Sequence, residues 1–108
     1  MKYCVMSDLE FDTPAKNDQM SQAVKDKLVG KLLWGPVTII GGLGWDGKPN
    51  TSVVVRFDNE IDMNELYALI KDRMAKLPVL KGRVSKHLCP HDEGRNHPPC
   101  VFQEEYMK

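Results

Sequence analysis

The stretch Thr51-Ser-Val-Val-Val-Arg-Phe-Asp58, followed by Asn59-Glu-Ile-Asp-Met-Asn-Glu-Leu-Tyr-Ala-Leu-Ile-Lys-Asp-Arg-Met-Ala-Lys-Leu-Pro78, decides the fold. Its first part repeats every two residues. Val53, Val55 and Phe57 share one side of an extended chain, which is the pattern of a half-buried strand. Its second part repeats at helical spacing. Leu66, Ile70, Met74 and Leu77 form one apolar stripe, with Met63, Tyr67 and Leu69 beside it. Asp62 with Glu65 three residues later predicts a capping box at the start of this helix, and Ile61 with Leu66 a hydrophobic staple. Pro78 ends it, because proline lacks the backbone N–H that a helix needs.

Upstream, Val37-Thr-Ile-Ile40 is a short β-branched run, and a glycine-rich stretch from Gly41 to Asn50 separates it from Thr51. Two strands joined this way predict a β-hairpin with a long tip, with Asp46-Gly47 as the residue pair most tolerant of positive φ. Further upstream, Thr13-Pro14 is a helix start. Threonine caps the open N–H groups, and proline suits the first turn. Met20, Ala23, Val24, Leu28 and Leu32 give the apolar stripe, and Gly35-Pro36 the expected stop. Residues 2–11 read as a buried strand. Downstream, Gly82 to Leu88 is a weaker strand, and Val101 to Met107 an extra C-terminal strand with Phe102 and Tyr106 expected on one face.

The order is therefore β-α-β-β-α-β. It predicts a single α+β domain over residues 1–108 on the ferredoxin-like plan, an antiparallel sheet covered on one face by two helices. The 108 residues leave no room for a second core. Such a plan hosts many functions, so function must be argued from particular residues.

Fifteen Lys+Arg balance fifteen Asp+Glu. That balance argues against nucleic-acid binding through bulk electrostatics. No apolar run approaches the ~20 residues of a membrane span, and the N-terminal residues do not read as a signal peptide. A cytoplasmic protein is the expectation.

Three groups of residues could carry chemistry. The first is the segment Cys89-Pro-His-Asp-Glu-Gly-Arg-Asn-His-Pro-Pro-Cys100. Cys89 and His91 face His97 and Cys100 across a short spacer, a Cys₂His₂ donor set of the kind zinc accepts. A Cys89–Cys100 disulfide and a plain proline-rich loop are the competing readings. The second is the glycine-rich tip. Gly42-x-Gly44-x-x-Gly47 matches the dinucleotide fingerprint in letters, and Gly42 to Lys48 begins a phosphate loop. Both motifs need a helix to follow, and here a strand follows. Trp45, Asp46 and Lys48 are instead read as contact residues of an exposed tip. The third is Asp8 with Glu10 and Asp12, carboxylates that could hold Mg²⁺ or Mn²⁺ in a metal-dependent hydrolase or nuclease.

No motif joins a nucleophile, a base and an orienting group. The leading expectation is a protein-interaction or regulatory module without catalytic activity. It would act through a protein partner or as a homodimer, using the sheet surface and the Trp45 tip. The metal-dependent hydrolase and the zinc-binding module are the alternatives.

Overall fold

In the computed structural model, residues 2–31, 33, 47–77, 79–89 and 101–108 are described in full, and 38–43 by their backbone. Strand β1 (Lys2–Phe11) leads to helix α1 (Pro14–Leu28), then to strands β2 (Thr38–Leu43) and β3 (Pro49–Phe57). Helix α2 (Glu60–Lys76) follows, and strands β4 (Val79–Cys89) and β5 (Val101–Met107) complete the chain. The strands form one antiparallel sheet in the order β2-β3-β1-β4-β5. Among the described residues this is an α+β fold of five strands and two helices.

β1 lies at the centre, with apolar residues on the side that faces the helices. Val5, Leu9 and Phe11 are at most 1% exposed. Its neighbour β3 shows the expected alternation, with Thr51, Val53, Val55 and Phe57 buried on that same side. Both helices cover this side. Asn17 of α1 bonds the Thr51 hydroxyl, and Lys86, which lies in register with Val5, donates to Asn64 of α2 at 2.9 Å. Met20 and Val24 of α1 and Met63, Leu66, Ile70 and Met74 of α2 complete one core. Burying each such side chain contributes roughly 1.5–3 kcal/mol before entropy is charged against it.

α1 begins as expected. Thr13 has extended backbone, and its side chain accepts from the Lys16 N–H. It ends earlier than its stripe predicted. Val29 is the C-cap and Gly30 takes a positive φ of 76°, a conformation that favours glycine. Leu32 and the expected Gly35-Pro36 stop lie outside the described residues.

α2 begins earlier than predicted. Asn59 is the N-cap, accepting from the Asp62 N–H at 2.9 Å, so Asp62 lies inside the first turn. There it still helps, accepting from the Asn59 amide at 2.8 Å and favouring the helix dipole. Its carboxyl is held below the usual range, first by Asn59 and then by the Lys31 ammonium of the segment after α1. With the helix start moved, Ile61 does not staple and stands 71% exposed.

The hairpin tip is shorter than expected, because β2 runs on through Gly41 and Gly42 and β3 starts at Pro49. β4 is longer, from Val79 to Cys89. β5 pairs with β4, and its ladder continues through Lys108, which exchanges two backbone bonds with Gly82. A bulge between Lys86 and His87 corrects the expectation for the last strand. His87 pairs with Phe102 and Lys86 with Glu104, so one residue of β5 is left over and the alternation shifts. Phe102 and Tyr106 therefore face opposite sides. Tyr106 packs against the core under Lys71 of α2, and Phe102 lies on the other face.

Candidate functional site

The side of the sheet opposite the helices carries the residues of interest. β1 is its middle column, and the strand registers place the neighbours. Cys4 lies beside Arg56 and His87, Met6 beside Val54 and Ser85, and Asp8 beside Ser52 and Arg83. β5 extends these rows with Phe102 beside His87, Glu105 beside Ser85 and Met107 beside Arg83.

This face is open. Met6 is 44% exposed, Phe102 55% and Met107 68%, and Asp8 and Arg83 are exposed as well. A trough of about 410 Å³ runs across it, lined by Met6, Val54 and Phe102 on its apolar side and by Asp8, Arg83 and Glu105 on its polar side. A large apolar side chain with no cover is ordinary when single. Three of them around a charged centre form a patch of the kind that marks binding surfaces.

The polar centre is ordered by hydrogen bonds. The Asp8 carboxylate accepts from the Asn50 amide at 2.9 Å and lies 3.0 Å from the Ser52 hydroxyl, both on β3. Its cross-strand neighbour Arg83 makes no ion pair with any described residue. The acid and the base thus stand side by side, each presented outward. Further along, Ser85 Oγ lies 2.8 Å from His87 Nε2, and the Phe102 ring meets the His87 ring edge-on with centroids 5.7 Å apart. Burial lowers the His87 imidazole from its ordinary value, with Glu105 opposing. The ring is therefore neutral at neutral pH.

The three carboxylates do not converge. Asp8 and Glu10 share the open face, with Glu10 buried at its rim near Lys81. Asp12 lies past the strand end, bonded to Lys16 at 2.9 Å, which holds its carboxyl below the usual range. Among the described residues no three His, Cys, Asp or Glu side chains are placed to hold a metal ion. Of the zinc set, Cys89 is buried at the end of β4, and His91, His97 and Cys100 lie outside the described residues. Trp45 and Asp46 of the hairpin tip also lie outside them, and Lys48 is exposed just before β3. Cys4 is buried in β1, as its place in an apolar strand implied. No described helix is long and apolar enough to cross a membrane.

The Asp8–Arg83 juxtaposition did not emerge from the sequence. The signal available was the alternation Arg83-x-Ser85-x-His87, a polar face at strand period, but pairing it with Asp8 requires the register of β1 against β4. No protein-family model matches the chain, and no curated protein matches it in sequence.

Proposed function

We propose that the chain is a protein-interaction and regulatory module whose working surface is the open face of the sheet. We also infer that its fold is the ferredoxin-like plan in one domain, extended by a strand at the β4 edge. The fold reading is supported by the element order and by β1 lying between β3 and β4. One observation carries the functional reading. The helix-free face presents Met6, Phe102 and Met107 to solvent around a hydrogen-bonded Asp8 and the adjacent Arg83, while the other face of the same strands is buried. An apolar patch with a charged centre gives both contact area and orientation to a partner.

The test is a photo-cross-linking amino acid placed either at Met6 or at Ile61, which is more exposed but lies on α2. In living cells position 6 should give discrete adducts and position 61 none. Equal labelling from both positions, or none from position 6, rejects the reading.

A further inference from the structure

We infer that the partner at the open face is a second copy of the chain, docked face to face about a twofold axis running parallel to the strands between β1 and β4. The inference rests on the interaction reading above and names its partner. A twofold interface must be self-complementary, because the same patch supplies both sides. The strand registers say how this patch can meet that demand.

Opposite charges lie in adjacent columns of one row. Asp8 belongs to β1 and Arg83 to β4. An axis between these two strands lays β1 of one copy on β4 of the other. Asp8 then meets the second copy's Arg83, and Arg83 meets the second copy's Asp8. The same operation lays β5 on β3. Phe102 arrives over Arg56, a ring against a guanidinium, and Glu105 over Val54, one row from Arg56. Met6 arrives over Ser85, within the trough.

Three other arrangements of the same surfaces fail on charge. An axis through β1 sets Asp8 on Asp8. An axis across the strands at the Met6 row sets Glu105 on Glu105. Pairing two copies through the β5 edge about its centre sets Glu104 on Glu104. Like charges directly opposed are destabilising. Packed sheets align to within about 30° in sandwiches, so a twofold axis along the strands is geometrically ordinary.

Size sets the strength. The four overlapping strands about 4.8 Å apart and three rows about 6.8 Å apart give roughly 400 Å² per copy. That is below the usual size of stable interfaces, so the dimer is weak and reversible. With two ion pairs at its centre it is also salt-sensitive.

The experiment is sedimentation of four purified chains: wild type, Asp8→Arg, Arg83→Asp and the double variant. Asp8→Arg presents two arginines at the centre, and Arg83→Asp presents two aspartates. Wild type should dimerise at low salt and dissociate as salt rises. Each single variant should self-associate about 100-fold more weakly. Mixing the two single variants should restore a dimer containing one of each, and the double variant should dimerise alone. A wild-type chain that stays monomeric at millimolar concentration overturns the inference, as does a mixture that fails to associate. A dimer indifferent to both reversals places the interface elsewhere and overturns it equally. If a single variant loses its cooperative melt, Met6→Asp takes its place and should also yield monomer; a Met6→Asp dimer overturns the inference. An adduct from position 6 to a different protein, together with a failed mixing experiment, removes the second copy as partner and leaves the interaction reading standing.

Discussion

The two faces of β3 are made by the same nine residues and behave as different materials. Thr51, Val53, Val55 and Phe57 are at most 1% exposed against the helices. Asn50, Ser52, Val54 and Arg56, interleaved with them, are only half-buried. A one-residue step along the strand crosses from the core to the surface read here as the binding site. Stability and recognition are thereby separable by substitution. Phe57→Ala should break the first while sparing the geometry of the second. Its ring is fully buried, and removing it leaves a cavity costing about 3–5 kcal/mol. Met6→Ala, one strand away on the open face, should cost less than about 0.5 kcal/mol. Urea unfolding of both variants checks the contrast. Comparable losses would mean that the open face is structural.

A smaller effect probes the boundary between β1 and β4. Gly82 lies in register with Leu9 on the helix side, and a Cβ built there would stand 2.6 Å from Leu9 Cδ2 and 3.3 Å from the Asp8 carbonyl oxygen. Leu9 is only 1% exposed and has little room to yield. Gly82→Ala should therefore destabilise by about 1–3 kcal/mol, the usual cost of overpacking. An unchanged denaturation midpoint would show that the core next to Asp8 is looser than its burial implies. If Leu9 instead displaces β1, Asp8 moves relative to Arg83, and self-association should weaken along with stability.

The elements were legible because each is announced by local chemistry. The period-two run Val53-x-Val55-x-Phe57, the Thr13-Pro14 start and the stripe from Met63 to Met74 all act within a few residues. What escaped were features set by competition or by distance. At the start of α2, Asn59 and Asp62 both have cap-forming side chains at the same spacing from an open N–H, and local chemistry alone does not say that Asn59 caps. The opposite faces of Phe102 and Tyr106 are not legible in the sequence, because the bulge at Lys86/His87 is a property of two paired strands. The open-face site has the same character. Asp8 and Arg83 are far apart in the chain, and nothing local says that β4 pairs with β1 in the register that sets them side by side. From the sequence, the sheet surface and Asp8 stand out only singly, beside the glycine-rich tip and the Cys89–Cys100 loop, where unusual residues cluster.

The smallest expected effect concerns pH, and it separates the two faces once more. On the open face, burial holds the His87 imidazole below its ordinary value. Glu105 on β5 pulls the other way, and Ser85 Oγ lies against Nε2. In the unfolded chain the ring protonates more readily than in the folded one. The unfolded state thus binds the extra proton first, and stability falls as pH drops below the ordinary histidine range of ~6.5. On the side of the helices, the depressed carboxyls of Asp12, Asp62 and Glu65 also favour the folded state, and their contribution is lost only as pH falls through lower values, below about 4. The two windows do not coincide. His87→Gln should flatten the melting temperature just below about pH 6.5 while leaving the steeper fall below about pH 4 in place. A slope unchanged by that substitution would assign the mid-range loss to another group, and would mean that the His87 ring is as well solvated folded as unfolded.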